Sequence, residues 1–226
     1  MRKVLQSRLL AGLDASSADR AAEVLARATT VEGEPGKPYF QASFSTAVLL
    51  VVEEGFVVVR ATLPGVSRSV ITCEAGGGRI LVPPTSEEVL FALGSATLTT
   101  ISAEALDQLL SVPAVAQSLV RQMTSTLGQK QEAIANFAPT LHLDRVRRKL
   151  LQLGRSYGHV VRDGIRIDFP VSHALLAEMI GSSRETVTRA LEELRRLGFV
   201  ARTGSTYRLL VPAEAVFATG ELPHRK

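Results

Sequence analysis

Cysteine is nearly absent: Cys73 stands alone among 226 residues. One thiol excludes an intrachain disulfide framework and suits a reducing compartment. It also excludes an iron–sulfur cluster, which needs several thiolates, usually four. Histidine is missing from the first 141 residues; His142, His159, His173 and His224 all come later. Without histidine there, the N-terminal half cannot gather the clustered histidine ligands that a metal-dependent barrel enzyme needs. A haem would find only Cys73 as an axial ligand, so no haem is expected. Long apolar runs are missing too. None approaches the ~20 residues that cross a bilayer, and the opening MRKVLQSRLLAGLDASSADR meets a charge within a few residues of each apolar stretch. Neither a signal peptide nor a membrane contact is expected, and the expected location is the cytoplasm. Enzyme motifs are lacking as well. There is no G-x-S-x-G, and GEPGKP at 33–38 is too short for a phosphate loop and has no Ser or Thr after its lysine. No catalytic residues are assigned, and the chain is not expected to be an enzyme.

What is present is an uneven charge. Residues 1–141 hold 11 basic and 13 acidic side chains, net −2, whereas residues 142–226 hold 15 and 9, net +6. A basic C-terminal region beside a mildly acidic one is the footprint expected of phosphate binding.

The basic region contains VSHALLAEMIGSSRETVTRALEELRRL, residues 171–197. Pro170 breaks any preceding helix, and Ser172 is a suitable N-cap for a first helix. Leu175, Leu176, Met179 and Ile180 line one stripe of it. Gly181 stops the helix at little cost because glycine accepts the left-handed conformation. Ser182 or Ser183 then caps a second helix, on which Val187, Ala190, Leu191 and Leu194 share an apolar face. Arg184, Glu185, Thr188 and Arg189 fall on another face. Strands are expected at 199–202 and 206–211 around the turn Thr203-Gly204-Ser205. Helix, turn, helix and hairpin describe a winged helix-turn-helix, a unit that presents side chains to base edges. Two plainer readings compete. The helix pair is an ordinary packing unit, or Ser182-x-x-Glu185 is a capping box that engages Glu185 with a backbone N–H. Arg195 and Arg196 read as a solvated face.

GSSRETVTRAL followed by EELRRLGFV resembles the DNA-binding signature of the cAMP receptor protein/FNR (Crp/Fnr) superfamily of bacterial transcription regulators. The likeness runs from about residue 141 to 210 and includes a basic helix start, DRVRRKLLQLG, and a hairpin at 160–169. It implies an α+β architecture: an N-terminal antiparallel β-barrel of the cyclic-nucleotide-binding, jelly-roll type, a long dimerisation helix and a C-terminal winged helix-turn-helix. The corresponding domains are 1–111, 112–141 (helix and hinge) and 142–226.

From Val120 an apolar residue recurs every seventh position: Val120, Leu127, Ile134, Leu141. Met123, Lys130 and Phe137 follow three later. This is a heptad seam with one polar interruption at Lys130, on a helix expected from 113 to 140 and ended near Pro139. It predicts a homodimer. The alternative is a helix packed along its own barrel.

Before the helix, residues 47–52, 56–62, 68–73, 79–82, 89–92 and 96–101 read as short strands joined by Gly and Pro turns, the pattern of a small antiparallel barrel. Ser16-Ser17 reads as the cap of a helix over ADRAAEVLARA, and residues 102–107 as a short helix leading into the long one. The resemblance fails at one point. Cyclic-nucleotide-binding members carry a Gly-Glu-Leu cassette and a following Arg-Ser-Ala or Arg-Thr-Ala. AGGGRILVPPTSEEVLFALGSATL has neither and is several residues shorter. Lys130-Gln131 replaces the Thr-Ser pair that would meet the base. No cAMP binding of the usual mode is expected. Gly76, Gly77, Gly78 and Arg79 are candidates for an anion site made of backbone N–H groups and a guanidinium, with Lys130 and Gln131 completing an effector pocket. The alternative is a plain strand connection.

By this reading Arg184 and Arg189 donate to guanine and Glu185 accepts from cytosine. Ser172, Ser183, Thr186, Thr203 and Gly204 meet phosphates, and the resemblance of the Arg-Glu-x-x-x-Arg fork to that of the family implies a half-site close to TGTGA. Expected partners are double-stranded DNA, a second copy of the chain and RNA polymerase. The effector is unknown. Two functions remain open: a ligand-responsive regulator, and a ligand-independent DNA-binding dimer whose barrel is a scaffold.

Overall fold

The computed structural model describes residues 10, 12–62, 69–135, 141–204 and 206–212, with no side-chain description at 129 and 132–135. The chain divides into two compact units, Met1–Gln131 and Glu132–Lys226.

The first unit opens with α1 (Ala15–Arg27). Its N-cap is Asp14, whose carboxylate accepts from the Ser17 N–H at 3.0 Å. The cap is thus two residues before the serine pair, which lies inside the first turn. Asp caps a helix as well as Ser does, and hydrogen bonds from the Ser17 side chain and then its backbone N–H hold the carboxyl below the usual range.

Among the described residues seven strands follow: β1 (Thr30–Gly33), β2 (Ala47–Glu54), β3 (Phe56–Thr62), β4 (Ser69–Gly76), β5 (Ile80–Leu81), β6 (Glu88–Ala92) and β7 (Ala96–Ser102). They form two antiparallel sheets, ordered β1-β7-β2-β5 and β4-β3-β6. All six expected strands are present, with ends shifted by up to three residues; position 68 lies outside the described residues. β1 is additional. Residues 35–39 also bridge to β6, through Pro35 to Ala92 and Pro38 to Phe91.

β2 reads as an unbroken apolar run because both of its faces are covered. Leu49 and Val51 point to a cluster with Ala21, Leu25, Leu109, Val115 and Leu119 from the helices. Leu50 and Val52 point between the sheets, where Tyr39, Phe44, Val57, Val59, Leu90 and Leu98 meet them. The space between the sheets is therefore filled by side chains. Tyr39 hydrogen-bonds the Ala96 carbonyl at 3.1 Å, and burial pushes its phenol up to about 12.

α2 (Ala103–Leu110) is capped by Ser102, and α3 begins at Pro113 and is described to Ala135. Val115, Ser118 and Leu119 bury the first turns of α3 in its own unit. In contrast, Val120, Met123 and Leu127 are 62%, 51% and 58% exposed. The expected extension to 140 and the seam residue Phe137 lie outside the described residues, as does the side chain of Ile134.

The second unit contains α4 (His142–Tyr157), β8 (Gly158–Val161), β9 (Gly164–Ile167), α5 (His173–Ile180), α6 (Arg184–Arg196), β10 (Val200–Thr203) and β11 (Thr206–Leu209). Its strands form one antiparallel sheet, β10-β11-β9-β8. Both hairpins predicted from the sequence are present. Among the described residues no helix is long and apolar enough to cross a membrane.

Candidate nucleic-acid interface

α5 and α6 are positioned by caps that the sequence dictates. Ser172 Oγ accepts from the Leu175 N–H at 3.0 Å, and Gly181 ends α5 in the left-handed conformation, with φ 62°. Ser183 Oγ accepts from the Thr186 N–H at 3.1 Å and starts α6. Ser182 is therefore not the cap, and the Ser182-x-x-Glu185 capping box does not form. Ser182 Oγ instead lies 3.2 Å from His142 Nδ1 at the start of α4. Glu185, released from that role, faces Arg189 at 3.4 Å in an exposed i,i+4 pair.

The apolar face of α6 buries Val187, Ala190, Leu191 and Leu194. Leu176, Met179 and Ile180 of α5 and Val146, Leu150 and Leu153 of α4 are buried in the same unit. Arg184, Glu185 and Arg189 are left exposed on the opposite side. Both arginines sit in the first two turns, the end of such a helix that enters a major groove. Two exposed guanidiniums and one carboxylate supply the donors and the acceptor that guanine and cytosine edges require.

The structure places the five residues expected at phosphates on the same unit. Ser172, Thr203 and Gly204 are exposed; Ser183 and Thr186 are half-buried. Ser183 Oγ and Thr186 Oγ1 are 2.8 Å apart. Gly204, at φ 61°, turns β10 into β11, and its carbonyl accepts from Arg202 Nε at 3.0 Å. Ser205, the third residue of that turn, lies outside the described residues.

One residue that sequence reasoning passed over ties this surface together. His173, the first residue of α5, contacts Thr188 on α6 at 2.8 Å and Arg202 on β10 at 3.4 Å. Burial lowers its pKa, and the charges of Arg202 and Arg184 add to the effect. Its position directly after the N-cap was the one available signal. Lys149, counted in the basic start DRVRRKLLQLG, is withdrawn from any such surface. It is 2% exposed and donates to Gln152 Oε1 at 3.0 Å.

The suggested effector pocket is not assembled as drawn. The glycine segment spends its backbone donors on neighbouring carbonyls: Gly77 N–H on Gly55, Gly78 N–H on Val52 and Arg79 N–H on Gly76, at 3.1, 2.7 and 3.2 Å. These N–H groups are not gathered around an anion; the first two anchor the β4–β5 turn to β2 and the turn after it, and the third closes the turn itself. Arg79 does line a cleft of about 170 Å³, but its companions are Ile80 and residues of α3 between Ser118 and Thr126. Lys130 and Gln131 are exposed and do not line it. Lys130 acts electrostatically on Glu88. Burial there raises the carboxyl, but hydrogen bonds from Thr72 and Thr85 outweigh it, and with Lys130 they hold Glu88 below its ordinary value.

Residues 144–214 match the Crp-like helix-turn-helix domain. A global nitrogen regulator of Synechococcus elongatus is 37% identical over 93 residues, which cover 41% of this chain and 42% of that protein. The chain thus matches less than half the length of this relative. Among solved structures, a cyclic nucleotide-binding domain containing protein from Listeria monocytogenes superposes with TM-score 0.72 at 16% identity, covering 85% of this chain and 97% of the other. The c-di-GMP responsive global regulator CLP of Xanthomonas campestris superposes with TM-score 0.65 at 23% identity, covering 88% and 100%.

Proposed function

Because this chain belongs to the Crp/Fnr superfamily, we propose that it is a sequence-specific, DNA-binding transcription regulator that acts as a homodimer. The observation that carries the reading is the exposed trio Arg184, Glu185 and Arg189 at the start of a helix whose other face is fully packed. Two copies would join along Val120, Met123 and Leu127, and a two-fold reader of this kind binds half-sites one duplex turn, roughly 34 Å, apart. The operator is then an inverted repeat with TGTGA-like half-sites. RNA polymerase is the third partner, the cytoplasm the compartment, and no catalytic chemistry is assigned.

A second observation bears on control. The interior between the two sheets is occupied by Tyr39, Phe44, Leu50, Val52 and Leu98. This supports cAMP independence and favours operator binding by the ligand-free protein. The test is fluorescence anisotropy on a TGTGA inverted repeat and on a scrambled duplex, with and without cyclic mono- and dinucleotides. Expected is selective binding, salt-dependent through phosphate contacts and indifferent to the nucleotides. Equal affinity for both duplexes removes the proposal. Binding that appears only with cAMP removes its cAMP-independent form, and binding that appears only with another cyclic nucleotide removes operator binding by the ligand-free protein.

A further inference from the structure

The cleft beside β5 has the donor set of an anion site. Arg79 from the sheet edge and Arg121 from α3 both line it, together with Ser118, Gln122, Ser125 and Thr126; Ile80 adds an apolar wall, and none of the lining residues is acidic. Two guanidiniums, three hydroxyls and a carboxamide line it, and no lining side chain carries negative charge. The arrangement is also partly prepaid. Ser118 is buried at 3% exposure, and the Gln122 Nε2 amide is buried with no acceptor among the described residues. Such a donor gains from an oxyanion placed in the cleft. The hydrogen-bonded turn from Gly76 to Arg79 fixes the backbone from which the first guanidinium projects.

Size narrows the ligand. About 170 Å³ is well under the roughly 300–1,000 Å³ of pockets that enclose drug-sized molecules. A phosphate group with a small substituent fits within it. Arginine forks match phosphate geometry better than a point charge does.

We propose that this cleft binds a small phosphate-bearing ligand, free phosphate or a compact phosphomonoester, between Arg79 and Arg121, with Gln122 and the α3 hydroxyls completing its shell. Ligand bound there ties the edge of the β2-β5 sheet to the helix that carries the dimer seam. Counted from Val120 as the first heptad position, Arg121, Gln122 and Ser125 take the outer positions b, c and f, so dimerisation leaves the cleft open. Only this last clause rests on the homodimer reading.

The test uses the full-length protein at constant ionic strength, titrated with inorganic phosphate, with glycerol phosphate and with sodium chloride. Backbone amide NMR shifts at Arg79, Ser118 and Gln122 are followed beside calorimetry. Saturable shifts at these residues with phosphate or its ester, and none with chloride, are expected. Both probes carry the same group, and whichever binds more tightly identifies the source. Arg121→Ala and Gln122→Leu should each weaken binding at least tenfold, while Arg20→Ala on α1 leaves it unchanged. Arg121 is exposed, so its loss spares the fold, which circular dichroism checks. Shifts that track ionic strength alone, or an Arg121→Ala protein that binds phosphate as tightly as the parent, overturn the site. A protein that sediments as a monomer yet binds phosphate at these residues keeps the site and removes the dimer reading.

Discussion

His173 Nδ1 lies 2.8 Å from Thr188 Oγ1, and that hydroxyl donates to the Arg184 carbonyl at 2.9 Å. With the hydroxyl proton committed, the shared hydrogen must come from the ring, so Nδ1 is protonated. Nε2 is then the acceptor that faces Arg202 Nη1 at 3.4 Å. One neutral imidazole thereby links the first helix of the pair, the helix bearing Arg184, and the wing.

This arrangement makes stability depend on mildly acidic pH. Burial, then the charges of Arg202 and Arg184, lower the His173 pKa from 6.5, and Glu192 opposes them. Above 6.5 the ring is neutral in folded and unfolded chains alike, and its contribution is fully present. As the pH falls below 6.5 the unfolded chain takes up a proton that the folded unit resists, and the contribution is lost on passing through the lower folded value. Denaturant melts at about pH 7.5 and about pH 5.5 should show a smaller acid loss in His173→Gln than in the parent. Equal losses in the two proteins would remove this role.

Ser183 starts α6, so its hydroxyl sets the register of the Arg184 end. Ser183→Ala should cost about 1 kcal/mol, and Ser183→Asp should recover most of it. Ser182→Ala should cost less, because that hydroxyl faces the exposed His142 at the start of α4 and caps no helix N–H. Thermal denaturation orders the three variants; a larger loss at Ser182 would reverse the assignment of the cap.

The exposed seam on α3 makes a prediction about assembly. Leu127→Glu puts charge at a heptad contact while leaving the core residues Val115 and Leu119 untouched. Sedimentation should shift from dimer to monomer with circular dichroism unchanged. Affinity for the inverted repeat should fall on the order of 100-fold, since two half-sites no longer bind as one unit. A dimer that survives the charge would move the interface elsewhere.

The helix pair was legible because its signals are local. Ser172, Gly181 and the apolar stripes fix caps and faces within a turn or two, and the observed α5 and α6 follow them. The strands were legible as β-branched runs between glycines, although β1 was not, since four residues give no alternation to count. What failed was non-local. Two adjacent serines are equally good caps by composition, and only contact with His142 separates them. The glycine run looked free to hold an anion because nothing in its own residues reveals that Val52 and Gly55 use its N–H groups. Lys149 counts as a surface charge until the packing of α4 buries it. The cleft beside Arg79 combines a sheet edge with a helix some forty residues away, a pairing that only the fold produces.

The most direct test of the account is Arg184→Ala on an inverted TGTGA repeat and on duplexes changed at one half-site base at a time, measured by anisotropy at fixed salt. The account predicts a loss of about 1–3 kcal/mol on the parent sequence and indifference at a single base position, with the other positions still discriminated. Unchanged affinity for the repeat, or discrimination preserved at every position, would contradict it.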